Sequence, residues 1–191
     1  MTDDIILCGV GGQGTILASK LLADAAMARA IPVKTAETIG MAQRGGSVFS
    51  HVRIGEGAAS PLIGKGRASL IIAFEPAEAV RQLPYLREGG TVVVSDRPIV
   101  PASALVGGLA YDVAGIMEYL REKVQNLVIV DASQAARDLG SAKCLNVVLL
   151  GAAVRSGALQ LTVDDMAGAI KRLVPERFQD LNARALAYTE E

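Results

Sequence analysis

The chain has 191 residues, a formal net charge of −1, one histidine, two cysteines and no tryptophan. That length fits one domain, residues 1–191, and 51% hydrophobic against 20% charged residues excludes a disordered chain. The near-neutral charge leaves no footprint for nucleic acid or an anionic membrane, one histidine excludes a zinc site built mainly from histidine, and two cysteines fall short of the thiolates that an iron–sulfur cluster needs.

The start, Met1-Thr2-Asp3-Asp4, is acidic, and the apolar run behind it soon reaches glycines, which argues against a secretory signal. Asp4 to Val10 reads as a buried strand, because Ile5, Ile6, Leu7 and Cys8 are continuously apolar. Thr15 to Arg29 follows as a helix with Leu17, Leu21, Ala25 and Ala28 at helical spacing. Ile31 to Glu37 is the next strand, so the three elements form a βαβ unit with parallel strands. Ser47 to Ile54 then alternates, with Val48, Ser50, Val52 and Ile54 on one face and Phe49, His51 and Arg53 on the other. Gly55-Glu56-Gly57 is a turn signal, and Ala58 to Ile63 is expected to return as an antiparallel partner, giving a hairpin over residues 47–63 at the sheet edge.

The α/β alternation resumes with a strand over Ala68 to Phe74, a helix over Pro76 to Leu86 and a strand over Thr91 to Ser95. Beyond Pro98 and Pro101 the stretch from Leu105 to Val113 carries no clear period. Ile116 to Lys123 reads as a helix, Leu127 to Val130 as a strand and Ser133 to Leu139 as a helix. The last third reads as helices broken at Gly157 and Pro175, with Thr162, Asp164 and Asp165 marking a helix start. The apolar run Cys144 to Val154 is interrupted by Asn146 and too short to span a bilayer, so a soluble, cytoplasmic protein is expected. Cys8 and Cys144 read as inert buried thiols, and His51, with no second histidine or placed carboxylate, as a structural or interface residue.

Two glycine-bearing loops carry the functional signal. Gly9-Val10-Gly11-Gly12-Gln13-Gly14 satisfies G-x-G-x-x-G between a strand and a helix, where glycines allow close backbone approach and the helix start offers free N–H groups to an anion. Glu37 lies where a dinucleotide fold places its ribose-binding acid. The plain alternative is that these glycines only close a strand-to-helix turn. A phosphate-binding P-loop is excluded, because Thr15 stands where the lysine must be. The second loop, Gly40-Met41-Ala42-Gln43-Arg44-Gly45-Gly46, flanks one arginine with Gln43 and two glycines, which suits a backbone lying close to a ligand or a partner chain. Its guanidinium suits a phosphate or carboxylate, or else it satisfies loop carbonyls or a surface acid.

Read together, the first loop and the run Glu37-Thr38-Ile39-Gly40-Met41-Ala42-Gln43-Arg44-Gly45-Gly46-Ser47-Val48 resemble the gamma subunit and domain family of 2-oxoacid:ferredoxin oxidoreductases. Ser60-Pro61-Leu62-Ile63, Phe74-Glu75-Pro76 and Asn146-Val147-Val148-Leu149-Leu150-Gly151-Ala152 extend the resemblance over nearly the full length. The Gly-Met-Ala-Gln-Arg-Gly-Gly form is most similar to the indolepyruvate branch of that family, in its small (beta) subunit.

The resemblance implies a three-layer α/β/α Rossmann-like domain with a mostly parallel, mixed sheet and an antiparallel hairpin insertion. It also implies a part in a complex that converts a 2-oxoacid and coenzyme A to an acyl-CoA and carbon dioxide, passing electrons to ferredoxin. The chain lacks a Gly-Asp-Gly run followed by paired asparagines for thiamine diphosphate and its magnesium, and it lacks a cysteine cluster. Those cofactors are therefore expected on a large partner subunit, with none bound by this chain alone. By the same resemblance Gly9, Gly11, Gly12, Gln13, Gly14, Glu37, Gly40, Gln43, Arg44, Gly45 and Gly46 form the face toward ligand or partner, and no residue is assigned a catalytic role. Two rivals stand beside this reading: a free-standing NAD-binding oxidoreductase and a purely scaffolding module.

Overall fold

The structure is a computed structural model that describes residues 2–38, 45–57, 59–100 and 111–189. Six strands form one sheet: β1 (Asp3–Val10), β2 (Val33–Glu37), β3 (Ser47–Ile54), β4 (Ala68–Ala73), β5 (Leu86–Ser95) and β6 (Asn126–Val130), in the spatial order β2-β3-β1-β4-β5-β6. β3 is antiparallel to both neighbours, while β1, β4, β5 and β6 pair in parallel. The sheet is therefore mixed but mostly parallel.

The helices among the described residues are α1 (Thr15–Ala28), α2 (Pro76–Gln82), α3 (Val113–Lys123), α4 (Ala132–Leu139), α5 (Leu145–Arg155), α6 (Val163–Leu173) and α7 (Glu176–Ala187). Successive strand residues point to opposite faces, and the central strands are apolar on both. Ile5, Leu7, Leu70, Ile72 and Val93 pack toward α1, α5, α6 and α7, whereas Ile6, Cys8, Ile71, Val92 and Val94 pack toward the side of α2 and α3. Two helical layers thus sandwich the sheet. Burying a side chain such as Ile71 or Leu70 fully contributes about 1.5–3 kcal/mol, so these short apolar strands hold the centre of the molecule.

Local signals set the helix limits. Ala18, Leu21, Leu22 and Ala25 form the buried stripe of α1. Thr162 and Asp165 form a reciprocal capping box at the start of α6, and Gly140 ends α4 at a φ of 70°. No helix of the described residues is long and apolar enough to cross a membrane.

Two expectations are corrected. First, β1 and β2 do run in the same direction, but β3 lies between them. Second, β3 pairs with β1 and β2 and not with the described residues 59–63 of the expected return strand Ala58 to Ile63. The described residues 59–63 form no strand, because β3 already has a partner along each edge and Pro61 has no N–H to donate to a ladder. The antiparallel hairpin is thus β2–β3, with β3 inside the sheet and β2 at its edge. A smaller difference is that the helix begun at Pro76 tightens to a 3₁₀ turn at Leu83–Tyr85, where Pro84 interrupts helical hydrogen bonding. Residues 101–110, which include most of the stretch without a clear period, lie outside the described residues.

Candidate functional site

β1 leads through α1 toward one side of the sheet, and β4 leads through α2 toward the other. The carboxyl ends of these adjacent strands therefore form a topological switch point, the usual place for a ligand crevice in an open α/β sheet. The first glycine loop lies there, with Gly12 and Gly14 in the left-handed region at φ 104° and 84°.

Its interior is filled by the protein itself. Gln13 Oε1 accepts the Val10 N–H at 2.7 Å, and Gln13 Nε2 donates to the Phe74 carbonyl at 2.7 Å. Gln13 thus bridges the two strands across the crevice. A Cβ on Gly9 would lie 2.7 Å from Gln13 Oε1, and one on Gly14 would lie 2.6 Å from Asn146 Nδ2. Those two glycines make room for side chains of this chain. Gly12, by contrast, faces space with nothing within 4 Å of an added Cβ.

The described end of the second loop joins the first directly. Extending the β1–β3 ladder past Val10 and Ser47, the Gly11 N–H donates to Gly46 O at 2.8 Å and the Gly45 N–H to Gly11 O at 3.4 Å. Gly45 takes a φ of 81°, so the backbone turns as it leaves the ladder. Gly40, Gln43 and Arg44 lie outside the described residues.

Glu37 ends β2 and accepts the Ser19 hydroxyl of α1 at 3.0 Å. Because β3 intervenes, Glu37 stands two strand spacings from β1, roughly 10 Å, rather than the single spacing of a dinucleotide fold. The glycine loop and the acid therefore do not form the ordinary dinucleotide arrangement.

Two clefts flank the loop. One, of 310 Å³, includes Gly11, Gly12, Thr15, Glu37, Phe49 and Ser50 in its lining. The other, of 360 Å³, includes Gly12, Gln13, Phe74, Arg97, Lys143 and Asn146. Arg97 and Lys143 give the second cleft a positive rim suited to an anion. Neither stands in a motif, and only the fold brings them to the glycine loop. Asn146 carried part of the family resemblance, and its amide Nδ2 lies 3.5 Å from Gly14 O.

Beside the same crevice, two glutamates are buried at the start of α2, Glu75 at 1% and Glu78 at 2% exposure. Burial pushes the thiol of Cys8 well above the ordinary cysteine range, and the carboxylates of Glu78 and Glu75 push it the same way. Burial also raises Cys144. Both thiols are thus held protonated and unreactive, as their sequence setting implies. Among the described residues no group of three or more His, Cys, Asp or Glu side chains is placed to hold a metal ion.

His51 is buried on β3, where its Nδ1 accepts the Ile63 N–H at 3.2 Å and its ring meets Phe49 and Tyr85 edge-on. Burial lowers its pKa from the ordinary 6.5. A proton on Nδ1 would displace the Ile63 bond, and the unfolded chain takes up that proton more readily. His51's contribution is therefore fully present above the unfolded pKa and lost as pH falls through the depressed folded value. In urea titrations the wild-type midpoint is expected to fall between about pH 7.5 and about pH 5.5. His51→Gln, which keeps an acceptor for Ile63 without titrating, is expected to lack that part of the fall.

A mixed α/β domain whose glycine turn is packed by its own glutamine and asparagine, and bonded to a second glycine loop, differs in layout from a free-standing dinucleotide-binding domain. Residues 4–189 match the family described as pyruvate ferredoxin/flavodoxin oxidoreductase. The chain belongs to this family, as the small subunit of a 2-oxoacid:ferredoxin oxidoreductase.

It is 40% identical over 184 residues to the indolepyruvate oxidoreductase subunit IorB of Archaeoglobus fulgidus, a match covering 96% of this chain and 91% of the relative. It is 26% identical over 182 residues to the pyruvate/ketoisovalerate oxidoreductases common subunit gamma of Pyrococcus furiosus, covering 93% and 89%. The crystal structure of the keto/oxoacid ferredoxin oxidoreductase gamma subunit from Geobacter sulfurreducens superposes with a TM-score of 0.69 at 26% identity, covering 97% of this chain and 94% of that one.

Proposed function

We propose that this chain, a single domain over residues 1–191, supports the coenzyme A-dependent oxidative decarboxylation of an arylpyruvate such as indolepyruvate. It does so beside a large subunit that carries thiamine diphosphate, magnesium and iron–sulfur clusters and passes electrons to ferredoxin. The observation that carries the substrate class is the 40% identity to an indolepyruvate oxidoreductase subunit over 96% of the chain. The residues present do not fit those cofactors, since the two cysteines lie separately on β1 and in the 3₁₀ turn before α5. When bound to the partner, thiamine diphosphate supplies the chemistry at the keto carbon.

This chain's contribution is a shaped surface. The paired loops, Gly9 to Gly14 and Glu37 to Gly46, form the face toward the partner. The cleft rimmed by Arg97 and Lys143 and the guanidinium of Arg44 supply positive charge for a substrate carboxylate or a coenzyme phosphate. The setting is a cytoplasmic complex.

Co-expression with the large subunit tests the reading. The chain is expected to bring down a partner with thiamine and iron–sulfur signatures, and only the pair is expected to reduce ferredoxin with indolepyruvate and coenzyme A. Activity from the isolated chain would sink it. In the assembled pair, Arg44→Ala is expected to raise a Michaelis constant about tenfold or to weaken assembly comparably. Unchanged assembly, Michaelis constants and turnover would remove Arg44 from the working face.

A further inference from the structure

Burying a carboxylate is costly unless donors replace its water, and α2 begins with two. Each is spent on fixing another part of the chain. Glu75 caps the helix, its Oε2 accepting the Glu78 N–H at 3.0 Å, while its Oε1 accepts the Tyr111 hydroxyl. Glu78 stands at the third helical position, where a glutamate commonly reaches back to the capping residue's N–H. Instead its Oε2 accepts the Ser47 hydroxyl at 2.5 Å and its Oε1 pairs with Arg81.

Ser47 follows Gly45 and Gly46 directly and faces Val10 in the ladder. It is therefore the first residue of β3 able to pin the second loop. Through Gln13 the first loop is tied to Phe74, the residue before Glu75. Both glycine loops thus converge on the start of one short helix.

We propose that Glu78 is a positioning residue: through Ser47 it holds the Gly45-Gly46 end of the second loop in register with Gly11, and so sets how the paired loops are presented to partner and substrate. The inference rests on the reading that these loops form the working face. A hydroxyl-to-carboxylate bond suits the task, since it is short, directional and stronger than a neutral pair.

The test uses the full chain co-expressed with the large subunit and carrying Ser47→Ala, Ser47→Thr or Glu78→Gln. Hydrogen exchange at the Gly11 and Gly45 amides reads the register, and steady-state kinetics with indolepyruvate and coenzyme A read the presentation. Ser47→Ala is expected to speed both amides about tenfold while Ile6 and Ile71 keep wild-type exchange. It is also expected to lower kcat/KM about tenfold, mainly through KM. Ser47→Thr keeps the hydroxyl and is expected to restore both readouts. Glu78→Gln, an acceptor without charge, is expected to fall between them, and should it fail to fold the serine pair decides.

Wild-type exchange in Ser47→Ala overturns the proposal. So does Ser47→Thr as impaired as the alanine variant, or loosened amides with an unchanged KM. Exchange needs no turnover, so an inactive wild-type pair would count against the functional reading, while the amides would still decide the anchor.

Discussion

Gly151→Ala is expected to lower stability by about 2–3 kcal/mol, the reverse of what helix propensity alone implies. Gly151 lies inside α5, where alanine is ordinarily favoured by about 1 kcal/mol. Here a Cβ would stand 2.2 Å from the backbone oxygen of Leu186, near the end of α7. The same oxygen accepts Arg155 Nη1 at 2.7 Å, and Arg155 Nη2 also donates to the Tyr188 carbonyl. One arginine thus ties α5 to a carbonyl in the last turn of α7 and to one just past its end. Pushing α7 away would add an overpacking cost of about 1–3 kcal/mol and stretch those charge-assisted bonds. In urea denaturation the midpoint should fall with the slope unchanged. A more stable alanine variant would show that α5 and α7 do not approach so closely.

The second large effect is expected at Arg53. Its Nε lies 2.7 Å and its Nη2 3.3 Å from the two carboxylate oxygens of Asp4, directly across the β1–β3 ladder. The side chains are only 17% and 11% exposed. Arg53→Met leaves that carboxylate largely out of water without its partner, at a cost of about 3 kcal/mol. Replacing both, as Asp4→Asn with Arg53→Met, is expected to recover at least about 1 kcal/mol of the loss. A single variant costing under about 0.5 kcal/mol would mean the pair behaves like an exposed ion pair.

Most elements were legible because their signals are local. Ile5 to Cys8 and Leu70 to Ile72 are continuous apolar runs, and Thr162 with Asp165 announces a helix start. Strand partners were not legible in the same way. The alternation of Ser47 to Ile54 separates Val52 and Ile54 from Phe49 and His51, but a period of two assigns faces and not neighbours. The glycine loop was recognised, yet the fingerprint carries no information on whether its space is filled by a ligand or by Gln13 and Asn146. Glu75 entered only as a letter of a family motif and Glu78 not at all. Their burial follows from α2 packing beside β1, which no spacing along the chain encodes.

The position of β3 also bears on how the protein folds. β1, α1 and β2 are consecutive in the chain, yet within them the two strands share no ladder. The two halves of this amino-terminal segment are joined only when Ser47 to Ile54 slots between them, matching Asp3 and Val33 alike to Ile54. A chain emerging from the ribosome therefore has both outer strands made before the strand that joins them. Its apolar β1 waits unpaired during that interval, exposed to the mispairing that threatens unfinished sheets.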